Sequence, residues 1–461
     1  MLLLEGAADW GRGADNAETN ENLMILLDTA LKRCRENNTP VCIGVIGAGY
    51  MGRGMVLQTE LSNMGMRVGA VFNRHIDKAA KAYAQAGIHD FILVNTLPEL
   101  EEAIARNRYA ITDNALLLCQ AQGIQAVVEA TGDIDFGALI SLTAMEHGKH
   151  VVLMNAELDA TLGPILKVYA DKAKVILSDA DGDQPGLLMN LIRYVQTIGF
   201  EPVLAGNVKG LQDRYRTPAT QKEYAQQYKQ KPHMVTSFAD GSKISFEMAV
   251  VANATGFKAG QRGMYGPRCR HVTEAVDLFP REQMLQGGLV DYVLGAEPPG
   301  VFVIGYNDHP VQREHMLYYK MGPGPLYVFY TPYHLPTIEA PLTAARAVLF
   351  HDPAITPRGA PVCTVITMAK RDLKAGDVLD GIGGFDAYGV LENFDKVISH
   401  NALPMGLCAG CRLQRDIRKD APIACSDVLI PKDRIGDRLW QEQIRFFAGD
   451  EKYGFSTNGV H

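Results

Sequence analysis

The sequence predicts an α/β protein built on a doubly wound parallel sheet, followed by an α+β domain and a small β-rich module. Three observations carry that expectation. Short apolar runs alternate with amphipathic stretches from residue 41 to about 180. A glycine-rich turn, Gly47-Ala48-Gly49-Tyr50-Met51-Gly52, joins the first run to the first helical stretch. Beyond residue 180 the alternation stops, and glycines, prolines and aromatics cluster instead. Alternation of this kind builds a parallel sheet with helices on both faces.

The chain has 461 residues, enough for about two to four domains. Its 47% hydrophobic and 21% charged content is ordinary for a globular protein. A net charge of −7 disfavours a nucleic-acid partner, which calls for a basic face. No apolar run reaches the ~20 residues of a membrane helix. The opening MLLLEGAADWGRGAD lacks a basic start and a long apolar core, so it does not read as a secretory signal. Eight scattered cysteines suit a reducing cytoplasm, which is the expected location. Cys408 and Cys411 form one close pair, with Cys425 beyond, but the second pair or the histidines of a zinc ribbon are missing.

Residues 1–20 read as poorly structured and 21–36 as a helix, broken by Asn37-Asn38-Thr39-Pro40. VCIGVIG, MRVGAVFN, QAVVEATG and HVVLMN read as buried strands; YMGRGMVLQTELSNM, HIDKAAKAYAQAG and ALISLTAMEHG read as helices. ISFEMAVVAN and GVFVIGYN read as strands of the second domain. PLTAARAVLF reads as a helix returning to the first domain, and His351-Asp352-Pro353 as a boundary. The expected units are an extension over 1–40, a nucleotide-binding domain over 41–180, a substrate domain over 181–352 and a C-terminal module over 353–461. The last is expected to be a separate β-rich module, dispensable for nucleotide binding.

The glycine turn follows a buried strand and opens a helix, the context of a Rossmann-type dinucleotide fingerprint. Gly47 permits the tight turn, Gly49 lets the backbone approach a pyrophosphate, and Gly52 lets helix and strand pack closely. Tyr50 and Met51 begin the helix, whose free N–H groups suit phosphates. The second strand ends in Asn73-Arg74, where NAD-specific folds place a carboxylate on the ribose. Asn73 and Arg74 would instead accept a 2′-phosphate, so NADPH is the expected cofactor. Ala130, Thr131 and Gly132 end one later strand, and Asn155 and Glu157 follow another; these carboxyl ends also face a ligand crevice.

Asp179, Asp181 and Asp183 alternate in DADGDQPG, again at a strand end. They suit acid–base chemistry or a divalent cation, although Asp183 also fits the N-cap of the helix that follows. The twelfth position of an EF-hand loop is Asn190 rather than Glu, which excludes that motif. Lys209 sits between glycines in GNVKG, at the end of an apolar run. Asn253, Lys258, Arg262 and Lys320 offer an amide and three cations for a sugar phosphate. His315 and His334 are further proton carriers.

GVIGAGYMGRGM, VFNRH, VEATGD, VLMNAE and DADGDQPG resemble the homoserine-dehydrogenase-like oxidoreductases. AKRDLKAGDVLDGIGG and GCRLQRDIRKDAPI are similar to the SAF domain. Together with GNVKG and NATGFKAGQRGM, the layout over roughly 40–446 resembles the 1-deoxy-D-xylulose 5-phosphate reductoisomerase-like enzymes. That resemblance implies NADPH-dependent formation of 2-C-methyl-D-erythritol 4-phosphate, an isoprenoid precursor, on Lys209 with Asp181 and Asp183. Asp179 and the four residues above would hold the phosphorylated substrate. It also raises a divalent cation, Mg or Mn, although the glutamate-bearing metal motif of the reductoisomerases is not visible, and a homo-oligomer. Two alternatives stay open: a dehydrogenase of another small hydroxy-acid or sugar phosphate, and an NADP(H) sensor without turnover.

Overall fold

The computed structural model describes residues 26–448. The expected disorder of residues 1–20 lies outside them, and the expected first helix is described from Leu26. In chain order the first half holds α1 (Leu26–Glu36), β1 (Val41–Ile46), α2 (Tyr50–Ser62), β2 (Met66–Phe72), α3 (Ile76–Gln85), β3 (Phe91–Leu93), α4 (Leu97–Ala105), β4 (Tyr109–Thr112), α5 (Ala115–Gln120), β5 (Ala126–Glu129), α6 (Ile134–Glu146), β6 (His150–Leu153), α7 (Ala156–Ala173) and β7 (Leu177–Asp179). These strands form one sheet in the order β3-β4-β2-β1-β5-β6-β7. All its pairs are parallel. Val41, Ile43 and Val45 pack on one face with α1–α3, while Ile46, Val127 and Val151 pack on the other with α4–α7. Burial on both faces explains why these strands read as unbroken apolar runs. The order reverses between β1 and β5, and ligands bind in the crevice at such a point.

The second part holds α8 (Gln184–Thr197), β8 (Glu201–Lys209), α9 (Lys222–Gln227), α10 (Pro232–Asp240), α11 (Ser242–Thr255), α12 (Arg281–Leu285), β9 (Leu289–Leu294), β10 (Gly300–Tyr306), α13 (Pro310–Tyr318), β11 (Leu326–Thr331) and α14 (Pro336–Phe350). Its mixed sheet runs β11-β10-β8-β9. α8 and α11 cover the face carrying Ala205, Val290 and Val303. α14 returns to α2 and β6 in the first sheet, as the sequence predicts. One element differs. ISFEMAVVAN, expected as a strand, is the centre of α11, with Ile244, Phe246, Met248, Val250 and Val251 all buried. A helix buried all round has no polar stripe, so its residues read like a buried strand.

The remainder holds β12 (Cys363–Ala369), β13 (Ala387–Asn393), α15 (Phe394–Ser399), β14 (Arg412–Leu413), β15 (Val428–Leu429) and α16 (Ile435–Ala448). It does not stand apart. The antiparallel β12–β13 ribbon lies on α11 and α7, and its residues share cores with both earlier parts. α16 packs on α6 and α7 with Trp440 buried. Gln443 enters the α7 backbone at the turn holding Pro164: its side-chain nitrogen donates to Thr161 O at 3.1 Å and its oxygen accepts from Ile165 N at 3.1 Å. Those two groups are i and i+4 partners that a helix normally pairs directly. The eight cysteines are free thiols, and among the described residues no three His, Cys, Asp or Glu side chains converge as metal ligands. No described helix is long and apolar enough to cross a membrane.

Candidate active site

The glycine turn has the geometry its sequence implies. Gly47 holds φ +108°, and a Cβ there would stand 2.7 Å from Ala130 O. A Cβ on Gly52 would stand 1.8 Å from Gly47 O, so only glycine lets α2 seat against the turn. Gly49 caps α2 without a side-chain bond and is open, leaving the first N–H groups of the helix available to a pyrophosphate. Tyr50 is exposed beside it and Met51 half-buried. Arg53 braces the turn by donating to Ala48 O at 2.9 Å. Asn73 and Arg74 end β2, with Asn73 Oδ1 accepting from His75 N at 3.0 Å and Arg74 exposed. Ala130, Thr131 and Gly132 line the opposite side of the crevice, at the end of β5.

Two of the residues expected to meet the cofactor do other work. Asn155 is buried; it caps α7 by accepting from Leu158 N at 3.2 Å and donates to Glu129 Oε2 at 2.9 Å, tying β5 to β6. Glu157, in the first turn of α7, points to the second domain and pairs with Lys243 at 3.4 Å.

That pair opens onto a cluster of charged side chains between the two sheets. Lys209 ends β8 and donates to Glu247 Oε2 on α11 at 3.1 Å. Asn207, two residues earlier and so on the same face of the strand, donates to the same oxygen at 3.0 Å. Gln184, with its amide nitrogen turned to the carboxylates, donates to Asp183 Oδ1 at 2.7 Å and Glu247 Oε1 at 3.2 Å. Its oxygen then faces His334 Nε2 at 3.5 Å, just beyond β11. Asp183 also caps α8 by accepting from Gln184 N at 3.1 Å. Lys243 lies one turn before Glu247 on α11.

Burial and the neighbouring charges act together on each member of the cluster. Burial works against the Lys243 ammonium, but Glu157, Asp183, Glu247 and Asp179 surround it and hold its pKa above the ordinary range. Burial pushes the Glu247 carboxyl up, with Asp183 adding to that, while Lys209 and Lys243 pull it back. Burial depresses His334, Lys209 adds to that, and Asp183 opposes it. Deeper in, burial raises Asp179 well above the carboxylate range, and Asp183 and Asp159 add to it. Burial alone lifts Asp159 to about 7, and both its oxygens lack hydrogen-bond partners, as does Asp179 Oδ2.

Several sequence expectations are corrected here. Asp181 is not in the cluster. It is buried against α14, accepting from Asn190 at 2.7 Å, Thr343 at 3.2 Å and Arg346 at 3.1 Å, so it fastens α14 to the turn before α8. Asn253 is buried and accepts from Val362 N at 2.8 Å and Cys363 N at 3.1 Å, holding the entry to β12. Lys258 bridges to Leu289, five residues back along β9 from the level of Lys209, which is about 17 Å. Arg262 reaches the far end of β13 and pairs with Glu392 at 2.6 Å. Lys320 follows α13, entered from Tyr306 opposite Glu201, eight residues and about 26 Å from Lys209 along β8. The basic loop 256–263 is far from the cluster because α11 is a helix: from Lys243 to Thr255 it advances about 18 Å.

Residues 182–340 match the family model described as the catalytic domain of oxidoreductase DRL. No curated protein matches the sequence. Among solved structures, a "probable dehydrogenase" from Thermotoga maritima is 12% identical, covering 69% of this chain and 90% of that one with a TM-score of 0.41. A magnesium complex of DOX-P reductoisomerase is 13% identical over 67% of this chain and 79% of that one, TM-score 0.38. UDP-N-acetylglucosamine 3-dehydrogenase from Acidithiobacillus ferrooxidans is 12% identical over 68% and 91%, TM-score 0.36. Likenesses of this size do not bear on the substrate.

The chain has a Rossmann-type α/β fold, and its second part matches an oxidoreductase catalytic domain. The matched segment spans Asp183, Gln184, Asn207, Lys209, Lys243, Glu247 and His334, the whole second-domain side of the cluster. Lys243, Glu247 and Gln184 escaped the sequence reading. The one signal for them was a Lys and a Glu four residues apart inside an apolar run, the spacing of neighbours on a helix.

Proposed function

We propose that this chain uses NADPH to reduce the carbonyl of a small phosphorylated hydroxy-ketone, in a reductoisomerase reaction of the type that converts 1-deoxy-D-xylulose 5-phosphate to 2-C-methyl-D-erythritol 4-phosphate. The observation that carries the reading is the Lys209–Glu247–Lys243 cluster, at the carboxyl ends of β7 and β8. β7 lies three strands from β1, about 14 Å across the sheet. A dinucleotide whose pyrophosphate sits on the glycine turn has its reactive ring directed toward that side.

The glycine turn would hold NADPH, which would supply the hydride. The residues present fit it: an open helix N-terminus for the pyrophosphate, and Arg74 in place of a ribose-reading carboxylate. The protein's task is then to stabilise an alkoxide and manage protons. Lys209 is the positive group that a developing oxyanion needs, and Glu247 fixes its direction. Lys243, ringed by carboxylates, is the second cation and suits a substrate hydroxyl. Asp183 and His334, joined through Gln184, are the proton carriers. The carboxylates lean on ammonium and amide groups rather than converging on one point, so no step is assigned to a divalent cation.

A panel of phosphorylated ketoses with NADPH, read by absorbance and product identification, tests this. Lys209→Ala should leave NADPH affinity nearly unchanged and cut turnover roughly 100-fold or more, the scale of one positioned electrostatic group. Near-normal turnover by that variant, or no turnover of any ketose phosphate by the unaltered enzyme, would overturn the reading.

A further inference from the structure

The basic residue Arg262, displaced from the active site, forms part of a second site. A cleft of about 340 Å³ lies between the 259–264 loop, β13, α15 and the segment leading into β15. Arg262, Lys396, His400 and Arg415 line its walls, with Glu392 and Asp427. Both carboxylates are already spoken for. Glu392 is almost fully buried and takes Arg262 Nε at 2.6 Å. Asp427 takes Arg415 through Nε at 2.5 Å and Nη2 at 2.9 Å, and Ala424 N at 2.9 Å.

Each arginine spends only part of its fork on these bonds. Arg262 keeps both Nη groups and Arg415 keeps Nη1. His400 bonds Lys396 O through Nδ1 at 2.8 Å, which leaves Nε2. Lys396 is exposed and makes no ion pair among the described residues. The lining therefore carries three permanent positive charges against two negative ones, in a chain whose net charge is −7. Its floor is apolar, with Ile366, Ala402 and Ile423 buried beneath it. Converging N–H donors above an apolar floor recognise a multi-oxygen anion carried on an apolar body.

We propose that this cleft binds a small organic phosphate, at a site separate from the Lys209 cluster. Arg262 and Arg415, held in place by their buried carboxylates, would meet the phosphate oxygens. Lys396 would add charge at the mouth with His400 beside it, and the apolar floor would take the body of the ligand.

The test is calorimetric titration of the full chain with phenyl phosphate and with inorganic phosphate, at saturating NADPH. Lys396→Gln and His400→Gln are surface changes that leave the fold intact; Lys209→Ala controls for the active site. The expected result is saturable binding of one phenyl phosphate that survives Lys209→Ala. Lys396→Gln should weaken it about tenfold and His400→Gln by a smaller factor, with inorganic phosphate binding more weakly than phenyl phosphate. No saturable binding, binding abolished by Lys209→Ala, or binding that Lys396→Gln leaves within twofold would each overturn the proposal.

Discussion

Glu247→Gln removes one negative charge and almost no volume from the cluster, so it isolates what that charge does. The carboxylate stands 3.1 Å from Lys209 Nζ and is 2% exposed. At an effective dielectric of about 20, the attraction at this separation is about 5 kcal/mol. Taking the carboxylate out of water cancels a good part of that, as its raised pKa shows. A net loss of about 2 to 3 kcal/mol remains, the range of a charged hydrogen bond. If Lys209 must be held for catalysis, turnover should fall roughly 30- to 160-fold, since each 1.36 kcal/mol is tenfold. The fall should appear in kcat while the NADPH dissociation constant stays within about twofold, because no cofactor residue is touched. Stopped-flow NADPH oxidation with the best ketose phosphate, alongside fluorescence titration of NADPH, measures both. A kcat within twofold of the unaltered enzyme would show that the Glu247 charge does not serve Lys209. An equal loss in NADPH affinity would place Glu247 in cofactor binding instead.

Arg74→Ala should weaken NADPH about tenfold or more and leave NADH nearly unchanged, because a charge-assisted bond to the 2′-phosphate would be lost; equal effects on both cofactors would refute this. Asp159 holds its proton to about pH 7 in the folded state, against 3.8 as the ordinary value, with burial as the cause. Because the folded state then binds more protons between about pH 4 and 7, stability falls as pH rises through that window. Asp159→Asn removes this dependence, so urea unfolding should show the variant gaining on the parent from pH 5 to 8; parallel curves would refute it. Lys370 is buried and donates to Asp240 at 2.9 Å, Arg216 O at 2.8 Å and Gly384 O at 2.8 Å, clamping the loop after Lys209. Lys370→Met should cost about 3 to 5 kcal/mol by stranding Asp240, and the Asp240→Leu double variant should recover part of it; thermal unfolding measures both.

The sequence by itself determined the nucleotide-binding half. Its strands are buried on both faces and read as apolar runs, and Gly47 and Gly52 stand where only glycine is sterically possible. Both are local properties, legible from neighbours in the chain. Lys209 was legible for the same reason, as a lysine ending an apolar strand between two glycines, and so was Asp183 as a helix cap. The tertiary structure decided which other charges join them. Asp179, Asp181 and Asp183 are alike in sequence, yet a turn sends one to bury beside Asp159, one to Arg346 and one to Gln184. Lys243 and Glu247 became site residues only because the run around them coils into α11, which puts their side chains at the end of β8 and carries the basic loop 256–263 about 18 Å from Lys243. The C-terminal segment joins the same cores because α7 and α11 expose apolar faces that no nearer segment covers. Those assignments depend on which distant surfaces meet, and burial then sets the cost of every charge left without a partner.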